Sequence, residues 1–344
     1  MDSATLLRFG VYGAIVFIAF NALIFASAIL VLAERKVMGF MQQRYGPYLV
    51  GPHGVMQPFA DILKLLFKEE LRPKGADKWL FTLAPIISVV AAFTAFAPVP
   101  FGAQTTLWGL LDEPLPLGVA DVNVGLLVVF AVTSMGVYGI VLAGWSSNSK
   151  YSLFGGLRAS AQMISYELSY ATALAAVILL AGSMSLREVV ESQSGLWWGF
   201  IPRWFIFLQP VGFIIYMIAG IAETNRAPFD FPEAEQELVA GFNTEYSSVR
   251  FALFPQAEYI NMVTMSGVAT SLYLGGWLGP WSESLGVVWF LLKVGAILFF
   301  YIWMRWTLPR YRYDQLMSFG WKFLLPASVV NLLVTAALVL YFNA

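Results

Sequence analysis

Eight apolar runs, each about as long as a bilayer requires, divide the 344 residues. They fall near 10–33, 79–98, 122–145, 159–182, 204–223, 249–275, 285–305 and 323–342. At 1.5 Å rise per residue, about 20 residues cross the hydrocarbon layer. The predicted fold class is therefore all-α and polytopic, with about eight transmembrane helices in a single domain over 1–344. Composition agrees. Only 12% of residues are charged and mean hydropathy is +0.71, against about 25% charged in a soluble domain. The first run is too long for a cleaved signal and ends on Glu34, Arg35 and Lys36, so it reads as a retained helix.

The cations set the orientation. The loops after the first, third, fifth and seventh runs hold sixteen Lys and Arg, eight of them between Arg35 and Lys78. The opposite side holds Arg8, Arg187 and Arg203, and Lys293 lies inside the seventh run. By the positive-inside rule both termini are on the outer side and the odd loops are cytoplasmic.

Two of those loops are more than links. In the 34–78 loop, Gln57, Asp61, Lys64 and Lys68 form one polar stripe at helical spacing, opposite Met56, Phe59, Ile62, Leu63, Leu66 and Phe67. A segment this amphipathic and too short to span predicts an interfacial helix, resting on lipid or roofing a cavity. The acidic 223–248 loop sets Glu223, Asp230, Glu233, Glu235, Glu237 and Glu245 among Phe, Leu and Val. Carboxylates so close titrate as a coupled set and can hold and pass protons. Glu167 and Glu258 fall roughly 12 Å inside the fourth and sixth spans, where a carboxylate must be protonated, hydrated or paired. Lys293, about as deep from the other end, is either a snorkelling side chain or the partner of an acid.

The composition also excludes chemistry. There is no Cys and the only His is His53, which removes thiolate metal sites, cysteine-held clusters and bis-His haem. No metal site is expected, and any electrons are carried by another subunit. A net charge of -1 gives no reason to expect nucleic acid.

Five blocks become specific when read together: Glu34 to Lys36 with Gly39 to Pro47; Gly54 to Leu65; Leu157 to Glu167; the 223–246 loop; and Leu308 to Met317. In order and over nearly the whole chain, they resemble the complex I subunit 1 family. That family supplies the membrane subunit of respiratory NADH:quinone oxidoreductase which abuts the quinone site. The resemblance implies a non-redox subunit forming the lower quinone chamber and its entrance, coupled through carboxylates to proton translocation. Proton-coupling roles fall by residue match on Asp61, Glu167, Glu223, Asp230, Glu233, Glu235, Glu237, Glu245 and Glu258. Quinone-mouth roles fall on Arg35, Arg44 and Phe251, and more loosely on Arg226 and Phe229. Pro255 and Gln256 replace an apolar pair usual in the family, which leaves the geometry of the mouth open.

The resemblance further implies quinone as substrate, with FMN and iron–sulfur clusters in partner subunits and no cofactor on this chain. Implied partners are the peripheral-arm subunits that carry the terminal cluster and quinone headgroup site, small membrane subunits and antiporter-like subunits. The implied location is the bacterial inner membrane, with the mitochondrial one as the alternative. Two other readings are a homologous subunit of an energy-converting hydrogenase and a free-standing ion transporter. The lack of inverted repeats and the concentration of motifs on one side count against the transporter.

Overall fold

The computed structural model describes residues 3–105, 114–197, 201–231 and 239–343. Helix α1 (Ser3–Met41) runs past the end of the first apolar stretch, so Glu34, Arg35 and Lys36 are helical. The amphipathic α2 (Gln57–Phe67) follows, and then α3 (Lys78–Phe96). Asp77 caps α3, its carboxylate accepting from the amides of Trp79 and Leu80 at 3.0 and 3.1 Å. Next come α4 (Gly125–Ser146), α5 (Lys150–Ala181) and the short α6 (Leu186–Ser192). The single turn α7 (Phe205–Leu208) leads into α8 (Pro210–Glu223). The chain closes with α9 (Ser248–Tyr273), α10 (Ser282–Thr307), α11 (Tyr313–Phe319) and α12 (Leu325–Asn343), the last two joined by a π-helical turn. Among the described residues the only sheet is two ladders of two-residue strands. The chain is thus an all-α, polytopic membrane protein.

Helices occupy all eight predicted runs, but only 6 among the described residues are long and apolar enough to cross a membrane on their own. The fifth run breaks at Gln209–Pro210, where Pro takes the first helical position, and its helix is 14 residues long. The sixth, α9, has 26 residues but carries Arg250, Gln256, Glu258 and Asn261. Its polarity is tolerated because it is an inner helix: Ile260, Thr264, Val268, Ala269 and Leu272 are fully buried. It packs chiefly against α3 and α1.

Side-chain contacts sort the loops into two ends. At one end Arg35 pairs with Asp61, Arg250 with Glu70, the amide of Leu71 with Ser247 Oγ, and Tyr166 Oη with the carbonyl of Leu316. The amide of Asp77 also donates to the carbonyl of Ser146 and that of Tyr311 to the carbonyl of Pro228, so the loops that carry the sixteen cations meet at this end; we call it the basic end. At the far end Arg187 faces Asp121 at 3.0 Å and Gln193 Nε2 reaches the carbonyl of Ser271 at 2.8 Å.

Lipid gives helices no hydrophobic reason to associate, so close backbone approach matters. Gly155 shows it: a Cβ there would lie 2.6 Å from the backbone nitrogen of Phe242. That contact seats the turn Gly241–Asn243, and with it the start of α9, directly on α5.

Candidate functional site

Toward the basic end, α1, α2 and α9 enclose a cavity of about 640 Å³. Ile24, Val31, Ile62, Leu66, Leu253 and Pro255 give it an apolar wall, while Glu34, Arg35, Asp61, Arg226, Glu258 and Arg305 supply the charge. On α1 the lining residues Ile24, Ser27, Ala28, Val31, Arg35 and Met38 repeat at three and four, which is one face of a helix. The amphipathic α2 forms a wall of the cavity through Pro58, Asp61, Ile62, Leu65 and Leu66, and Ser248 Oγ holds its Leu65 carbonyl at 2.9 Å.

The charges form an outer and an inner group. In the outer group Arg35 Nη1 donates to Asp61 at 2.6 Å, and Gln57 Nε2 reaches the other carboxylate oxygen at 3.0 Å. Both partners are partly exposed, so this pair is worth little energy. In the inner group Glu34 is buried, 6% exposed. It accepts a hydrogen bond from Tyr259 Oη at 2.6 Å and another from Arg305. Arg226 stands between two acids, 3.8 Å from Glu34 and 3.7 Å from Glu258, with its guanidinium 4.2 Å over the Tyr259 ring. Removing one member of such a buried set leaves the others uncompensated, at a cost of about 3–5 kcal/mol.

Behind Glu258 lies a second, smaller cavity of about 30 Å³, room for roughly one or two water molecules. Ser88, Glu223, Asn225, Asn261 and Glu258 itself line it, beside Met163, Phe242 and Phe254. Glu258 therefore borders both spaces. Glu223, also 6% exposed, lines the small one as well. Glu167 lies on α5 and accepts a hydrogen bond from Ser134 of α4.

Other predicted residues sit elsewhere. Phe229 is buried away from the cavity, its ring 5.7 Å from Tyr166 and 5.9 Å from Tyr311. Gln162 Nε2 donates to the carbonyls of Phe229 and Ala222 at 2.8 and 2.9 Å, anchoring the first part of the acidic loop to α5. Asp230 follows at the edge of that anchor, partly exposed, and Glu245 lies half-buried in the turn before α9. Arg44 is exposed, donates to Gln42 at 2.7 Å and lines a separate groove with Lys36, Tyr45, Tyr48 and His53. Arg35, Arg226 and Phe251 do line the large cavity. Pro255 is accommodated within α9 and faces that cavity together with Gln256. Glu233, Glu235 and Glu237 lie outside the described residues.

Lys293 neither snorkels nor, among the described residues, meets an acid. Its ammonium donates to the carbonyls of Leu274, Gly276 and Leu278 at 2.6, 2.9 and 2.7 Å, with the Trp204 ring 4.4 Å away. All three donors of the ammonium are used, on carbonyls that follow the C-terminus of α9.

Three members of the inner group, Glu34, Tyr259 and Arg305, carry no sequence signal that singles them out. Glu34 follows the apolar run and looks like the first of three stop charges. The three-and-four spacing of α1, carried past Ala33, is the signal that puts the Glu34–Arg35 pair on the cavity side.

The fold and the site define a class: a multi-helix membrane protein with a largely apolar cavity that ends in buried, paired charge. Comparison makes the class specific. A family profile described as NADH dehydrogenase matches residues 13–336, and the chain belongs to that family. The chain is 53% identical over 309 residues to an NADH-quinone oxidoreductase subunit of Geobacter metallireducens, covering 90% of each. It is 50% identical over 335 residues to the corresponding NADH-quinone oxidoreductase subunit of Geobacter sulfurreducens, covering 97% of this chain and 98% of the relative. The like-named subunit of Streptomyces avermitilis is 50% identical over 313 residues, 88% of this chain and 67% of its own length.

Proposed function

We propose that this chain is the membrane subunit of a proton-pumping NADH:quinone oxidoreductase, that its large cavity is the lower quinone chamber, and that its carboxylates couple quinone reduction to proton movement. The observation that carries this is the position of Glu258, which lines both the large chamber and the small cavity that Glu223 also lines.

The chamber chemistry fits a quinone. Its apolar wall suits an isoprenoid tail, and the charged end suits a head group that becomes more basic when reduced. Such a head group needs protons as it takes electrons. Glu258, paired with Arg226 at 3.7 Å, is placed to respond to that change of charge and to exchange a proton with the space behind it. Electrons arrive from outside: FMN and the iron–sulfur clusters belong to peripheral-arm subunits, and antiporter-like and small membrane subunits receive the proton signal. The setting is the bacterial inner membrane.

Glu258→Gln in the assembled complex tests the reading. Coupled quinone reduction and proton pumping fall together, by about a hundredfold if Glu258 acts as an acid–base group. NADH oxidation by an artificial acceptor at the flavin is unchanged, because that reaction does not use this chain. Normal turnover with a normal proton-to-electron ratio would overturn the coupling role.

A further inference from the structure

Beyond the carboxylates, four tyrosines from four helices meet in the middle of the bundle. Tyr170 (α5), Tyr216 (α8), Tyr273 (α9) and Tyr301 (α10) are each 2% exposed or less. Tyr170 and Tyr216 have ring centroids 5.1 Å apart, and Tyr216 and Tyr273 are 5.6 Å apart. The rings alone would satisfy the packing, so phenylalanine would serve equally well. The hydroxyls are what needs explaining.

Only Tyr216 Oη has a well-formed bond among the described residues, donating to the carbonyl of Met265 at 2.8 Å. The hydroxyls of Tyr170, Tyr273 and Tyr301 have no well-formed hydrogen bond to the described residues, although Tyr170 Oη reaches towards that of Tyr216. A hydroxyl buried without a partner is destabilising, so three together are not an incidental of packing. Their placement relative to the acids is ordered. Tyr170 stands one turn beyond Glu167 on α5 and interacts electrostatically with both Glu167 and Glu223. The Tyr301 oxygen lies against Gly220, where a Cβ would be 2.7 Å from it, one turn before Glu223 on α8. Tyr216 is two turns, roughly 10 Å, further along that helix from Glu223. Tyr273 is the last residue of α9, beside the carbonyls that Lys293 holds.

We propose that Tyr170, Tyr216, Tyr273 and Tyr301 form a hydroxyl relay that carries protons from Glu223 toward the far end of the bundle, with ordered water as the ligand bridging the oxygens. The inference rests on the coupling role given to the acids above. Each step is a balanced exchange. A proton bonds to a hydroxyl lone pair, the hydroxyl releases its own proton to the next oxygen or water, and rotation about the Cζ–Oη bond resets it. Every tyrosine stays neutral and nothing is oxidised or reduced.

The test is Tyr170→Phe/Tyr273→Phe in the whole complex, reconstituted in proteoliposomes, with Glu223→Gln measured in parallel. The double variant keeps every ring, so the readout is protons delivered per electron rather than assembly. A loss of protons per electron supports the relay. An unchanged ratio in the double variant beside a lowered one in Glu223→Gln overturns the relay and leaves the role of the acids intact. An unchanged ratio in both overturns the two together. Should the double variant fail to assemble, Tyr301→Phe, which removes the oxygen lying against Gly220, is read by the same ratio and the same criteria.

Discussion

Buried charge is handled in opposite ways at the two ends of this molecule. At the basic end Glu34, Arg226, Glu258, Arg305 and Tyr259 hold one another with side chains, and Arg226 stands 3.7–3.8 Å from either of two acids. At the far end Lys293 is held by three backbone carbonyls at 2.6–2.9 Å. Side-chain partners can change protonation and shift by an ångström; carbonyls of a packed loop do neither. The first arrangement has the properties of a device that responds to charge, and the second those of a fixed support.

The sharpest way to break the comparison is at the support. Lys293→Met leaves three carbonyls without a donor, at about 1–3 kcal/mol each. The expected outcome is a large loss of intact complex on native gels, with the surviving complex keeping its normal proton-to-electron ratio. A lowered ratio in that surviving fraction would show that the lysine is part of the responsive end after all.

Glu34→Gln comes next. It leaves Arg226 and Arg305 with less negative charge than they need, at about 3–5 kcal/mol. Here both assembly and the turnover of whatever assembles decline, because the same residue stabilises the inner group and faces the chamber. A shift in melting temperature with unchanged quinone kinetics would make Glu34 a structural residue only.

The smallest effect belongs to Arg35→Ala. Its pair with Asp61 is partly exposed and worth about 0.2–1 kcal/mol, so assembly is unaffected. The KM for quinone rises a few fold while kcat holds, because the pair lies at the outer rim. A fall in kcat instead would move Arg35 into the responsive group.

How much of this is legible without the structure depends on whether the signal runs along one helix or between several. The eight runs and the amphipathic Gln57–Phe67 segment are local periodicities, and they are readable. So are Glu167 and Glu258, since an acid inside an apolar run stands out alone. Glu34 is hidden by its neighbours Arg35 and Lys36, which make it look like an interfacial charge. Lys293 is visible but its partners are not, because carbonyls beyond a helix end have no residue type to read. The tyrosine cluster is invisible: Tyr170, Tyr216, Tyr273 and Tyr301 are each unremarkable on their own helix and meet only through packing. Phe229, linked loosely to the quinone mouth by resemblance, is clasped between Tyr166 and Tyr311, and no local pattern connects residues so far apart in the chain.

The polarity of α9 also bears on how the protein is made. A charged side chain at the centre of an inserting helix costs about 2.5–3.5 kcal/mol, and α9 carries Glu258 well inside it, with Arg250 in its first turn. Left to partition between translocon and lipid by itself, it would be a poor candidate for entry. Its principal neighbours α1 and α3 precede it in the chain, so both are synthesised before Ser248. The lysine that secures its other end arrives only with α10, twenty residues after Tyr273. The anchoring of this helix is thus completed by a segment synthesised later.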